Sequence, residues 1–386
     1  MRTPDPVAKL AARLASEQSA MVAALRTLVC SESPSNHPDL LQSTAGLVAD
    51  LGNRLLGTPA KRLGDGAAPA LHWHLPGVHS ESPPVLVLAH LDTVWPAGTL
   101  ARWPFTVTGD RASGPGAFDM KAGLVQALFA LSALDAADLP RPAVAVLVTA
   151  DEEVGSPDGR ALVEECAREA GAVLVVEPSA DGALKVARKG VANYSVHVTG
   201  RAAHAGLEPD KGVNALVGAA HLVIAVEHLA DPAAGTTVTP TMATAGSSPN
   251  TVPSSARVAI DVRAATVAEQ QRVDKALRDL RVPGEADVRV EGAINRAPME
   301  EAAAEALYLL AKQVADRCGL PPLRSVRVGG GSDGNFTAAL GIPTLDGLGA
   351  VGAGAHAEGE YVVVSAMPQR AALLAGLIVE LGEEPR

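Results

Sequence analysis

Apolar runs of strand length recur along this chain, and each is followed closely by a histidine or a carboxylate. P-P-V-L-V-L-A precedes His90, A-V-A-V-L-V-T-A-D-E precedes Glu153, A-V-L-V-V precedes Glu177, and the short run I-P-T-L-D-G-L-G comes before His356. Runs this short, separated by helix-length segments, read as strands buried on both faces. Up to about residue 190 the rhythm alternates. A helix over roughly 5 to 30 gives way to the strands H-W-H-L and P-V-L-V-L, and the helix A-G-L-V-Q-A-L-F-A-L-S-A-L follows Lys121. A strand over 143–150, a helix from Asp158 to Glu169 and a strand over 172–177 complete it. This βαβα order predicts an α/β fold with a mixed, mostly parallel sheet flanked by helices.

From 191 to 298 the rhythm changes to strand, helix, two strands, helix, strand, the ferredoxin-like α+β order. After Pro298 a helix over 300–317, the strand S-V-R-V, a glycine-rich turn, a helix over 333–340 and the strand I-P-T-L return to the first style. The expected organisation is a first catalytic part over 1–190, an inserted domain over 191–298, and a second catalytic part over 299–386.

Composition removes several rivals. A net charge of −11 and 3% aromatic residues argue against a nucleic-acid binder, which needs a basic face and stacking rings. Cys30, Cys166 and Cys318 are widely spaced and form no C-x-x-C pair, so neither a disulfide framework nor a cysteine metal site is expected. The N-terminal stretch is an amphipathic helix broken by charges. No apolar run is expected to approach the length of a membrane span, no targeting segment is read, and the expected location is the cytoplasm.

The polar residues at the strand ends carry the chemistry. An open α/β sheet gathers residues at its strand ends into one crevice, even when they are scattered in sequence. Taken singly each has a bland reading. H-x-D is a common surface pattern, Asp119 in G-P-G-A-F-D-M-K resembles an N-cap, and D-E-E can be a solvated loop. Taken together, two histidines and three carboxylates without cysteine form the donor set of a pair of zinc-like ions, and so predict a di-metal hydrolase. His90 and Asp92 stand two apart and point the same way, as an imidazole ligand and the carboxylate that orients it. Glu152 and Glu153 are adjacent, so one can bind metal while the other serves as general base.

These blocks also carry a family resemblance. H-L-D-T-V-W-P-A-G-T-L, G-P-G-A-F-D-M-K-A-G, T-A-D-E-E-V-G-S, V-V-E-P-S, G-R-A-A-H-A-G, N-T-V-P, D-V-R, G-G-G-S-D-G-N-F and G-A-G-A-H-A-E-G-E-Y resemble the co-catalytic di-zinc peptidases. That family comprises aminoacylases, tripeptidases, succinyl-diaminopimelate desuccinylases and glutamate carboxypeptidases, and the last block is most similar to the carboxypeptidase branch. The resemblance implies two Zn2+ per subunit, with Co2+ or Mn2+ as substitutes. It makes Asp119 the carboxylate bridging both ions, His90 and Glu177 the other ligands of one, and Glu153 and His356 those of the other. It further implies Glu152 as general base, Asp92 as partner of His90, and a cis Asp119–Met120 peptide. His204 would stabilise the oxyanion in the partner subunit of a homodimer, and Asn250 and Arg263 would hold the substrate carboxylate. Ala122 departs from the glycine usual at that position. The implied activity is release of a C-terminal amino acid, acidic residues among the candidates, from a peptide or N-acyl conjugate. An N-acyl-amino-acid deacylase or a dipeptidase of the same family is the alternative.

Three further readings compete. Gly330, Ser332 and Gly334 spell G-x-S-x-G, with Asp346 and His356 following in the order of a serine hydrolase, although Ser332 and His356 are only 24 positions apart, which leaves little room for the usual intervening elements. Gly347, Gly349 and Gly352 spell G-x-G-x-x-G without the helix a dinucleotide site requires. A non-catalytic binding paralogue conflicts with an intact ligand set. Arg263 also has a structural alternative, a salt bridge to Asp261. His72, His74, His79, His197, His221 and His228 are read as structural.

Overall fold

The computed structural model describes residues 5–64, 68–78 and 80–382; His79 lies outside them. The chain divides into two compact units, one comprising 1–187, 301–327 and 332–386, the other 188–300 and 328–331.

In the first unit the main sheet has six strands. They are β1 (Lys61–Leu63), β2 (Ala70–Leu75), β3 (Val85–His90), β4 (Val144–Thr149), β5 (Ala172–Val175) and, after the second unit in sequence, β10 (Thr344–Leu345). The spatial order is β1-β2-β4-β3-β5-β10. The β3–β4, β3–β5 and β5–β10 pairs are parallel, and β1–β2 and β2–β4 are antiparallel. The sheet is therefore mixed and mostly parallel. All six residues of β3 are buried, as expected of a central strand covered on both faces.

Alternation sends Leu86 and Leu88 toward a cluster with Val163 and Ala167 of α5 (Gly159–Arg168) and Phe336 of α9 (Gly334–Ala339). Against β3 also packs α4 (Ala122–Asp135), which is apolar all round and accordingly buried. Together with residues 117–121 it forms a 19-residue stretch long and apolar enough to cross a membrane by length and composition, which corrects the expectation that no apolar run approaches that length. That stretch is 89% buried within the fold, so here it is a core helix.

The N-terminal segment differs from the single helix expected. It forms α1 (Pro6–Ser16) and α2 (Gln18–Val29), broken at Glu17, where the Ser16 hydroxyl donates back to the Arg13 carbonyl at 2.6 Å. Two of the longer helices were not foreseen, α3 (Pro38–Leu56) and α10 (Ala366–Glu380). The first carries readable signals, a proline at its start and Gly57 at φ 66° as its left-handed cap. The helix expected over 300–317 begins as a 3-10 turn and becomes α8 (Glu305–Arg317). A small sheet of strands 106–108, 111–113, 352–353 and 361–363 was also unforeseen, since its members are two or three residues long.

The second unit holds β6 (Gly190–Thr199), α6 (Ala215–Glu227), β7 (Thr237–Ala245), β8 (Ser255–Ala264), α7 (Val267–Arg278) and β9 (Asp287–Arg296). Its sheet runs β7-β8-β6-β9, with every pairing antiparallel. Both helices pack on the sheet through Leu222, Val226, Val273 and Leu277, which meet Val196, Val258 and Ile260.

Candidate metal centre

Strand geometry places the first ligand. His90 is the last residue of β3, and its Nδ1 lies 3.0 Å from the Asp92 carbonyl. A carbonyl only accepts, so Nδ1 carries the proton and the Nε2 lone pair faces the crevice, the tautomer a metal requires. Nε2 is 3.4 Å from both Asp119 Oδ1 and Glu177 Oε1. Glu177 follows β5, and Asp119 sits in a kink within residues 117–121, where the Asp119–Met120 peptide is cis.

The other carboxylate oxygen of Asp119 turns the opposite way. Oδ2 is 3.4 Å from His356 Nε2, which also lies 3.0 Å from Glu153 Oε2. Two triads result, His90–Asp119–Glu177 and Asp119–Glu153–His356, each with donor atoms within 4.8 Å of one another. Each oxygen of Asp119 thus serves one triad.

The electrostatics are those of a cation site. Burial opposes charge on His90, yet Asp119, Asp92 and Glu177 around it raise its pKa well above the ordinary imidazole value. Asp119 and Glu153 push His356 up to about 10. Burial would raise Asp119, but His356 and His90 hold it well below the carboxylate range, whereas burial and the charge of Asp119 raise Glu153. Three carboxylates crowded round two imidazoles are under-compensated unless positive charge is added. Among the described residues, His90 Nε2, Asp119 Oδ1 and Glu153 Oε1 are buried without a hydrogen-bond partner, and the first two face each other within one triad at 3.4 Å. The donor set and these orphaned atoms fit a pair of divalent ions.

Asp92 does more than orient His90. It is fully buried, and its carboxylate is 3.4 Å from Nδ1, farther than its own carbonyl. Its oxygens instead accept the Glu152 N–H at 3.2 Å, the Glu153 N–H at 3.1 Å and the Ser35 hydroxyl at 2.7 Å. Burial raises its pKa, but His90, Ser35 and the Glu153 N–H outweigh that and lower it. Asp92 therefore fixes the turn Glu152–Val154 that presents both glutamates.

Ser35 was not singled out in the sequence. Its loop runs beside Thr93, with the Thr93 N–H donating to the Ser33 carbonyl at 2.8 Å. A cleft of about 490 Å3 opens there, walled by Ser35, Asn36, His37, Val94, Glu153 and Val154. Glu360 was missed as well. It is fully buried, and burial with the nearby charge of Asp119 pushes its pKa up to about 8.

The glycine pattern explains why Ala122 is tolerated. Ala122 is fully buried without difficulty, while the next residue, Gly123, packs so closely on the Val176 carbonyl that any Cβ there would overlap it. Gly349 presses on the same carbonyl. The segment leading into Glu177 is thus wedged between two glycines.

The serine-hydrolase arrangement is absent. Ser332 is fully buried and its hydroxyl donates to Asp346 at 2.6 Å, while His356 faces Asp119 and Glu153. Gly352 of the G-x-G-x-x-G run enters a two-residue strand, not a helix.

The remaining sequence-predicted residues, His204, Asn250 and Arg263, belong to the second unit. His204 and Asn250 are neighbours across two strand-like segments, with the Ala205 N–H donating to the Asn250 carbonyl at 2.9 Å. His204 Nδ1 accepts the N–H groups of Gly206 and Leu207 at 3.2 and 3.1 Å, which leaves Nε2 as the protonated nitrogen. Arg263 forms the salt bridge to Asp261 left open above, through Nε and Nη2 at 2.9 to 3.2 Å.

Comparison with known proteins matches residues 86–380 to the profile of peptidase family M20/M25/M40. The chain is 37% identical over 311 residues to carboxypeptidase G2 from Pseudomonas sp. (strain RS-16), covering 77% of this chain and 74% of that protein. It is 30% identical over 335 residues to succinyl-diaminopimelate desuccinylase from Alkalilimnicola ehrlichii, covering 80% and 86% respectively. Among solved structures, aminopeptidase PepT from Bacillus cereus superposes with a TM-score of 0.76 at 23% identity, over 95% of this chain and 99% of that one. An M20 family metallo-carboxypeptidase from Sulfolobus solfataricus does so with a TM-score of 0.73 at 18% identity, over 94% and 98%.

Proposed function

The chain belongs to peptidase family M20/M25/M40, a family of metal-dependent hydrolases, and from that premise we propose that it is a di-zinc carboxypeptidase. In this reading it releases a C-terminal amino acid, acidic residues among the candidates, from a peptide or N-acyl conjugate. The observation that carries it is the shared carboxylate of Asp119, with one oxygen facing each histidine-bearing triad.

His90, Asp119 and Glu177 would hold one ion, and Asp119, Glu153 and His356 the other. Two Zn2+ ions held by these residues would supply Lewis-acid chemistry, lowering the pKa of a bound water and polarising the scissile carbonyl. Glu152 takes the proton of the attacking water and delivers it to the leaving amine. Its backbone is fixed for that task by Asp92. His204 presents its Nε2–H to the developing oxyanion. Arg263 meets the substrate carboxylate with Nη1, which has no protein partner among the described residues, and Asn250 adds a further contact. The free cysteines are consistent with a cytoplasmic enzyme.

In the proposed homodimer the second unit serves as an inserted lid and dimerisation domain, with His204 acting in the partner's site. Leu216, Val217 and Ile224 of α6 are 50 to 58% exposed, and β7 is an edge strand, which together offer an apolar face and an unpaired edge for a second copy. Mixing inactive His204→Ala with inactive Glu152→Gln protein then restores about a quarter of wild-type activity, because half of the dimers are mixed and each has one complete site. No recovery after proven subunit exchange rejects action in trans.

The main test pairs metal content with turnover. Glu152→Gln retains two ions per chain and loses several orders of magnitude in kcat, whereas Asp119→Ala loses metal as well. Activity that survives chelation rejects the proposal. Equal hydrolysis of a free-acid substrate and its C-terminal amide rejects carboxylate recognition and favours a different amide hydrolase activity.

A further inference from the structure

The two triads are supported very differently. His90 and Glu177 grow from the ends of β3 and β5, central strands whose residues are all buried. His356 instead sits in a left-handed conformation, φ 60°, on the loop joining strands 352–353 and 361–363, and its side chain is 54% exposed. An exposed loop histidine keeps a ligand's geometry only if the loop is anchored elsewhere.

Glu360, at the end of that loop, is its anchor. Its side chain turns inward and is fully buried, and Oε1 accepts the Phe118 N–H at 3.3 Å, one residue before Asp119. Trp95 and the Ala117 backbone also interact with the carboxylate. Its main-chain carbonyl accepts the Ser113 hydroxyl at 2.7 Å, and Gly354 packs on its Cα, where a side chain would not fit. One residue therefore ties the loop carrying His356 to the turn carrying Asp119. Glu360 belongs to neither triad.

We propose that Glu360 is a positioning residue chiefly for the Asp119–Glu153–His356 ion, holding two of its three ligands in register, while the His90–Asp119–Glu177 ion shares only Asp119 with that anchor, keeps His90 and Glu177 on the sheet and is far less sensitive to it. This rests on the di-metal reading.

The test is titration of the metal-free full-length protein with Co2+, followed by absorption and by calorimetry. Wild type takes up two ions. Glu360→Ala takes up one with near wild-type affinity, its second binds about 10- to 100-fold more weakly, and the absorption bands of the His356 site change. Glu360→Gln, which preserves shape and one acceptor oxygen, restores the second ion. Should the alanine variant not fold, Glu360→Asp, which withdraws the carboxylate from the Phe118 N–H by one methylene, carries the same expectation. Two unperturbed ions in folded Glu360→Ala, or equal loss of both, overturns the inference. Absence of metal uptake by wild type overturns the di-metal reading itself, so the two failures are distinguishable.

Discussion

Replacing Asp92 by asparagine separates its two duties. The carboxylate takes three donors, from Glu152 N–H at 3.2 Å, Glu153 N–H at 3.1 Å and the Ser35 hydroxyl at 2.7 Å. An asparagine has one acceptor oxygen. Placed at the Oδ2 position, it keeps Ser35 and Glu153 and turns its NH2 toward the Glu152 N–H; flipped, it loses two bonds. The cheaper arrangement forfeits one hydrogen bond to a charged acceptor, ~1.5–3 kcal/mol. At about 1.4 kcal/mol per tenfold that is roughly 10- to 150-fold in kcat/KM.

The loss falls on kcat, because the freed backbone belongs to the proposed general base. His90 keeps its Nδ1 bond to the Asp92 carbonyl at 3.0 Å, which a side-chain change leaves intact, so the ion at the buried triad is retained. The assay is steady-state kinetics at saturating metal beside metal content per chain. A variant within twofold of wild type in kcat/KM refutes the reasoning. So does one that loses the His90-site ion while its remaining metal-loaded fraction turns over normally.

Two further outcomes concern stability. Gly123→Ala adds a residue favoured in helices by ~1 kcal/mol over glycine, yet it is expected to destabilise by ~1–3 kcal/mol and to weaken metal uptake. The reason is that the new Cβ overlaps the Val176 carbonyl next to Glu177, and a raised melting temperature with full metal content counts against it. Asp5 accepts Arg317 Nε and Nη2 at 2.8 and 2.9 Å, which holds its pKa at about 2, below the ordinary 3.8. A folded-state value below the unfolded one stabilises the fold above the unfolded value, and that contribution is lost as pH falls through about 2. With Asp5 35% exposed, the contribution is under about 1 kcal/mol after solvent screening. The stability gap between wild type and Asp5→Asn, which retains the helix cap, should therefore be present at neutral pH and close in strong acid; a constant gap disproves the linkage.

Strand periodicity, donor type and position relative to strand ends are local properties, and they determined the α/β character and the five metal-type residues. His90, Glu153 and Glu177 stand out in the sequence because an apolar run must stop where the chain leaves the sheet, and a polar group there needs a purpose. Two helices and the small sheet were less legible, since strands of two or three residues carry no period to read.

Other features exist only in three dimensions. That Asp119 offers one oxygen to each histidine depends on a kink and on three separate strand ends converging. That Asp92 grips the Glu152–Glu153 turn depends on contacts about sixty residues apart in sequence, with |i−j| of 60 and 61. Ser35 and Glu360 carried no signal in the sequence, and the serine motif at Ser332 stood there only as a competing reading. Burial decides all three, because a carboxylate or hydroxyl removed from water must find a partner, and only the tertiary structure determines which one.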